Sequence, residues 1–237
     1  MLRIAREAGW VQRDTSLEQG IANLDSFCVE PQPEYFEVYR RFYRLPDFHA
    51  VQHHPDLIGL FERFLGEEVL PHPRIIGRII FPQREAFTTP AHQDFIPIQG
   101  TPDTYTAWFP LSDLPPAMGG LQISSGSHRK GVYDFRPALG AGGIEVTDNL
   151  EGTWVYNPFQ QGDVLIFHSM AVHKGVACTS DKLRLSIDAR FQKASEPVSP
   201  GTLEPHGGIP WAEVYEGWST DDLKYYWKKW NLEVEPY

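Results

Sequence analysis

Residues 74–192 set the main limit on what this chain can become. Eight short β-rich runs follow one another there: residues 74–81, 91–99, 105–111, 120–124, 153–156, 163–168, 172–177 and 183–192. Gly, Pro, Asp and Ser separate them. So many short strands at this spacing form a sandwich or jelly roll. Residues 183–192 are the clearest run. Leu183, Leu185, Ile187, Ala189 and Phe191 alternate with Arg184, Ser186, Asp188 and Arg190, so one strand face is apolar and the other carries charge. Alternation alone leaves two placements open: a wet outer face, or a polar interior that holds a charged ligand.

The flanks read differently. Across residues 33–70, Tyr35, Phe36, Tyr39, Phe42 and Tyr43 recur at helical spacing. Leu57, Leu60, Phe61, Phe64 and Leu65 do the same before Gly66, a suitable helix stop. A Pro/Gly-rich loop covers residues 194–210. An aromatic helix is expected over 211–230, with Trp211, Trp218, Trp227 and Trp230 as a packing stripe or a homodimer contact. At 237 residues the chain is expected to be a single domain, residues 1–237, with its β-rich core over 74–192.

Composition excludes several roles. The net charge is −10 and no basic block occurs, so neither nucleic acid nor a membrane surface is an expected partner. No run approaches the ~20 apolar residues of a membrane span. Two cysteines without a CxxC spacing encode no disulfide framework, and a cytoplasmic location is expected.

The chemistry concentrates in His92-Gln93-Asp94. On an extended strand, positions i and i+2 share a face, so His92 and Asp94 are expected side by side. A second histidine from a distant strand would complete a two-histidine, one-carboxylate set. Such a set leaves coordination positions open and suits non-heme Fe(II). His168 and His173 are both downstream choices. His128 closes a Ser-Gly-Ser-His turn and is expected to fix that loop. His49, His53, His54, His72 and His206 lie outside the strand zone and are expected to titrate in solvent.

Five ordered segments carry a family resemblance: His92-Gln93-Asp94, Ala107-Trp108-Phe109-Pro110-Leu111-Ser112-Asp113, the run Gly119 through His128, Gly162 through His168 leading into His173, and Arg184 eleven residues after His173. Over residues 77–192 the chain resembles the phytanoyl-CoA dioxygenase-like family of Fe(II)/2-oxoglutarate-dependent oxygenases. The resemblance implies a mainly β fold: a double-stranded β-helix (jelly roll, cupin-like) with N-terminal helices packed on the sheet and a C-terminal helix. It implies Fe(II) on His92, Asp94 and His173, the last chosen over His168 by its spacing to Arg184. It implies 2-oxoglutarate and O2 as co-substrates. An arginine suits the far carboxylate of 2-oxoglutarate because its planar fork binds bidentately and stays charged when buried.

Arg184 is therefore the expected clamp, with Ser186 on the same face. Trp108 matches a family position against the co-substrate, and Gln83 and Tyr105 are added from their expected place on lining strands. Ser124-Ser125-Gly126 departs from the family's apolar-Pro-Gly and implies an altered turn. Asp94, where related halogenases lack a carboxylate, implies hydroxylation or a related oxidation of a small-molecule metabolite. A cupin isomerase or dioxygenase that does not use 2-oxoglutarate is the alternative; it would lack the spaced arginine. Residues 82–90, 136–152 and 194–210 are candidate lids, and Phe87, Phe95, Ile96 and Phe159 a candidate apolar wall. Arg190, on the face of Arg184, is expected to meet either a substrate acid or a structural carboxylate.

Overall fold

The computed structural model describes residues 1–30 and 32–235. Helices α1 (Leu2–Glu7), α2 (Pro33–Tyr43), α3 (Pro46–Ala50) and α4 (Pro55–Leu65) come first. Strands β1 (Val69–Pro71) and β2 (Ile76–Ile80) lead into a short α5 (Phe95–Ile98). Then follow β3 (Tyr105–Pro110), β4 (Gly120–Ser124), β5 (Phe135–Pro137), β6 (Ile144–Val146), β7 (Trp154–Val155), β8 (Leu165–His168), β9 (His173–Val176) and β10 (Arg184–Lys193). A single turn, α6 (Trp211–Val214), lies near the end.

The strands form antiparallel sheets of the jelly-roll class. The larger runs β1-β10-β3-β8, with β2 also on β10; the smaller runs β7-β4-β9; β5 and β6 form a hairpin. β10 is the axis of the larger sheet. It pairs with β3 on one edge and with β1 and then β2 on the other. Its first nine residues are all buried. Leu185, Ile187, Ala189 and Phe191 pack into the main apolar core with Tyr39, Phe42 and Phe61 from the helices. Phe61 stacks on Phe191 at 4.1 Å between centroids. The charged face of β10 is therefore the interior one, because helices already cover the other side.

Three helices open on proline at the first helical position, Pro33, Pro46 and Pro55. No intrahelical N–H is lost there. α4 stops at Gly66, which adopts φ 80°, a conformation that glycine reaches without Cβ strain. α2 buries Tyr35, Val38, Tyr39, Phe42 and Tyr43. α4 buries only Leu57 and Phe61, while Leu60 and Phe64 are exposed; the apolar stripe read from the sequence is wider than the face that packs.

Three expectations change. Residues 91–99 do not form a strand: after one bridge at His92 the chain turns into α5. Pro97 lacks a ladder donor but is tolerated in a first helical turn. The expected helix over 211–230 is broken into α6 and a 3-10 turn at Tyr226–Lys229. Trp211, Trp218 and Trp227 there pack on the body of the protein. Finally, His49 and His72 are buried. Burial pushes their pKa values down to about 4 and about 3, so they stay neutral rather than titrating in solvent.

Candidate metal centre

His92 and His173 sit opposite each other across one antiparallel bridge. His92 N donates to His173 O at 2.9 Å and His173 N donates to His92 O at 3.0 Å. This pairing holds the two rings 4.2 Å apart between centroids. Each ring is then oriented in the same way. The Nδ1–H of His92 donates to Pro90 O at 2.9 Å, and that of His173 donates to Ala171 O at 3.0 Å. A carbonyl only accepts, so both rings are Nδ1–H tautomers with a bare Nε2.

Both bare nitrogens face one oxygen. Asp94 Oδ1 lies 3.7 Å from His92 Nε2 and 3.9 Å from His173 Nε2. One ligand atom from each of the three buried residues falls within 4.8 Å of the others. Asp94 arrives there by a route the sequence did not show. Its backbone is already helical, with φ −64° and ψ −29°. The carboxylate meets the imidazole because the chain turns, not because i and i+2 share a strand face.

The other contacts of Asp94 hold it charged. Thr106 Oγ1 donates to Oδ2 at 2.5 Å, and Arg190 Nη2 donates to Oδ1 at 3.2 Å. Burial works to raise its pKa, but the Arg190 guanidinium and the nearby imidazoles more than offset this and keep the carboxyl well below its usual range. Burial pushes His92 down to about 3 and lowers His173 as well. An ionised carboxylate and two neutral imidazoles are the donor states a divalent metal requires.

Arg184 is buried as fully as the triad, 3% exposed. Its Nη1 donates to Val176 O at 2.8 Å and more weakly to the carbonyls of Gly120 and Met118. Its Nε is buried without an acceptor, and it pairs with no carboxylate among the described residues. A buried guanidinium without an anion is costly unless a ligand supplies one. Gly119 explains the close approach of backbone to this group: a Cβ there would meet Val176 O at 2.3 Å and Arg184 Nη1 at 2.8 Å.

The remaining expected residues divide. Ser186 and Trp108 line the same cleft as Arg184 and the triad. Trp108 is braced by Phe159 at 5.0 Å. Tyr105 does not join them. β3 alternates, so Thr106 and Trp108 face the cleft while Tyr105 turns to the opposite side, edge-on to Phe64 at 4.8 Å. Gln83 is also outside: it is exposed, with φ 57°, and its side chain donates to Ser180 O at 3.2 Å. His168 leaves the triad to His173 and lies near Asp103 at 3.5 Å. His128 is exposed; Ser127 instead fixes its loop, donating to Ser124 O at 2.7 Å and accepting from Val172 N at 2.8 Å.

Thr106 was missed although a period-two argument from Trp108 would have found it. Gln93, fully buried, was also missed. Its amide donates to Gly131 O and Met170 O and accepts from Tyr133 N, tying the loops behind the triad.

A cavity of about 330 Å³ opens on the other side of His92 and Asp94. Ile76, Pro97 and Ile98 form its apolar wall, in place of the expected Phe87, Phe95, Ile96 and Phe159. Two of the three candidate lids border it. Gly140 to Gly143, the turn between β5 and β6, lies so close that a Cβ on Gly142 would stand 3.7 Å from the His92 ring. Residues 194–210 contribute Thr202 and His206. No helix among the described residues is long and apolar enough to cross a membrane.

Comparison with known proteins points to one family. Residues 30–186 match the family described as Phytanoyl-CoA dioxygenase (PhyH). The chain is 31% identical over 171 residues to a 1-deoxypentalenic acid 11-beta-hydroxylase of Streptomyces exfoliatus, covering 64% of this chain and 59% of that protein. The match to the Streptomyces arenae protein of the same name is 30% over 168 residues. The chain thus spans about three fifths of the length of these curated relatives. Among solved structures, the fold is similar to the non-heme monooxygenase ThoJ, with TM-score 0.53, 19% identity, and 63% of this chain and 59% of that one covered. It is likewise similar to SnoK, a non-heme alpha ketoglutarate dependent carbocyclase of nogalamycin biosynthesis, with TM-score 0.53, 24% identity and coverage of 67% and 63%. The family match spans more than half of the sequence and contains His92, Asp94, His173 and Arg184, and the chain belongs to the phytanoyl-CoA dioxygenase (PhyH) family.

Proposed function

We propose that this protein is an Fe(II)- and 2-oxoglutarate-dependent dioxygenase that hydroxylates a C–H bond of a small-molecule metabolite. His92 Nε2, Asp94 Oδ1 and His173 Nε2 would hold the iron. Arg184, with Ser186 and Trp108 beside it, would hold 2-oxoglutarate. Bound together, these groups supply the oxidising power: O2 is consumed, 2-oxoglutarate becomes succinate and CO2, and one oxygen atom enters the C–H bond.

The chain's own residues have three tasks. Pro90 O and Ala171 O fix the imidazole tautomers, and Thr106 and Arg190 fix the carboxylate, so that the metal site is formed before the metal arrives. Arg184 supplies the positive charge for the far carboxylate of 2-oxoglutarate and orients it. The walls of the larger cavity aim the substrate and exclude water.

The single observation that carries this reading is the pairing of a buried His/Asp/His set with a buried arginine that lacks an anionic partner, both on one cleft. The same arginine disfavours the cupin alternative that does without 2-oxoglutarate. The reported hydroxylase relatives favour hydroxylation as the outcome.

The test is direct. Anaerobic protein given Fe(II) and 2-oxoglutarate should develop the visible charge-transfer band of the ternary complex, and on exposure to air should release succinate. His92→Ala should lose both. A wild-type protein that gives neither signal is not a 2-oxoglutarate dioxygenase.

A further inference from the structure

The two spaces on either side of His92 and Asp94 differ in character. The cleft at Arg184 is narrow and sets its charged groups against Ile80, Trp108, Leu121 and Phe167; the larger cavity joins an apolar wall to a charged one. The charged wall comes from an irregularity in the sheet. His72 N donates to Arg190 O at 2.8 Å, and Ile76 pairs with Asp188. Between these points Pro73, Arg74 and Ile75 cover the distance that Ala189 alone covers on β10. The two extra residues form a bulge, which re-aims side chains, and both Arg74 and Arg190 line the cavity.

The ionised groups of the two spaces do not balance. Among the described residues, three carboxylates line them, Glu30, Asp94 and Asp188, against four arginines, Arg74, Arg78, Arg184 and Arg190. Arg78 lies between Glu30 at 3.3 Å and Asp188 at 3.0 Å. Arg190 is taken by Asp94. Arg184 faces the cleft. Arg74 lines the larger cavity, half-buried on the same wall as Glu30, with no carboxylate of the described residues within ion-pair distance. Its Nε donates to Glu204 O at 3.2 Å, and its terminal nitrogens have no hydrogen-bond acceptor among the described residues.

The histidines there add no charge. His206 Nε2 is spent on Glu30 Oε1 at 2.9 Å. The Gln192 amide nitrogen donates to Glu196 O and Pro197 O, so its Oε1 accepts from His72 Nε2–H at 2.8 Å. That leaves His72 Nδ1 as a bare acceptor. Fe(II) and the 2-oxoglutarate dianion carry equal and opposite charge. The surplus of one positive charge is therefore the same in the empty protein and in the loaded one.

We infer that the larger cavity is built for an organic monocarboxylate, with Arg74 as its head-group anchor and the apolar body against Ile76, Pro97 and Ile98. The identity of the cavity as a substrate site rests on the dioxygenase reading above; the anion preference does not. Arg74 is a specificity-determining residue, away from the metal ligands. Its cation would compensate the carboxylate from a half-buried position on the cavity wall. The apolar wall would hold the rest of the molecule in the same cavity that His92 and Asp94 line.

The test uses matched pairs: octanoate, decanoate and adamantane-1-carboxylate, each against its methyl ester. Binding is measured by calorimetry on the metal-free protein and on the anaerobic Fe(II)·2-oxoglutarate protein. At least one acid should bind about tenfold or more tighter than its ester in both forms, as expected for loss of one charge-assisted contact. R74Q should bring acid and ester to within about twofold while the affinity for the ester persists, which shows an intact pocket. The inference is overturned if no acid of the panel binds, if the esters bind as tightly as the acids, or if R74Q keeps the preference. Failure of the charge-transfer band with the acid preference intact would instead remove the dioxygenase reading and leave the anion site standing.

Discussion

Thr106 donates to Asp94 across twelve residues of sequence, from β3 to the turn that opens α5, at 2.5 Å. The bond occupies Oδ2 and leaves Oδ1 to face the two imidazoles. Thr106→Val keeps the shape and removes the donor. Partners of this kind typically contribute about 10–100-fold to metal affinity or activity. Fe(II) titration of T106V should show a loss of that order, with a circular dichroism spectrum like that of the wild type. Unchanged Fe(II) affinity would mean that Arg190 alone orients the carboxylate.

Arg184→Gln should separate co-substrate binding from metal binding. The glutamine loses the charge and the fork but can still reach a carbonyl. The dissociation constant for 2-oxoglutarate should rise at least about tenfold, while Fe(II) binding stays near wild type. Anaerobic titration with 2-oxoglutarate reads the first and a metal assay the second. Equal loss of both would point to a collapsed cleft rather than a missing clamp.

Gly77→Ala tests the helix-on-sheet contact that supports β2. A Cβ at Gly77 would stand 2.7 Å from Phe42 Cε2 and 3.0 Å from Phe48 Cε2. Both rings are buried and have little room to withdraw. Overpacking of this kind costs about 1–3 kcal/mol. Urea unfolding should show that decrease; a midpoint equal to the wild type would mean that the α2–α3 corner is loosely packed.

Acid should weaken the fold through buried histidines remote from the metal site. Burial pushes His49 down to about 4 from an ordinary 6.5, although its hydrogen bond to Tyr43 O pulls the other way. The unfolded chain takes up a proton near pH 6.5 and the folded chain resists until about 4. The contribution is thus complete above pH 6.5 and declines as pH falls from 6.5 to 4, on the order of 3 kcal/mol in total. Urea midpoints at pH 7 and pH 5 should differ less in His49→Gln than in wild type. An equal difference would place the acid sensitivity elsewhere.

The β-rich centre and the candidate metal ligands were legible because each leaves a short-range trace. β10 announces itself by period-two alternation, and His92, Asp94, His173 and Arg184 by motif and spacing. Errors arose where position on an element had to be guessed. Tyr105 and Trp108 stand three apart on one strand and cannot share a face; the structure gives the cleft to Thr106 and Trp108. Gln83 follows the end of β2 and leaves the sheet before reaching the cleft. The buried His49 and His72 could not be told from surface histidines, since burial depends on which distant chain covers them.

Sequence by itself determined the type of chemistry: which side chains carry donor atoms, and that one strand has a charged face. Tertiary structure alone decided where that face points. The helices α2 and α4 claim the apolar side of β10 through Tyr39, Phe42 and Phe61, and the charged side is left to the interior. Tertiary structure also brought together Glu30, Arg78, Asp188 and His206, and through a bulge it set Arg74 on the wall of the larger cavity, with no carboxylate of the described residues within ion-pair distance. Charge balance is a sum over groups far apart in sequence, and only folding decides which groups enter it.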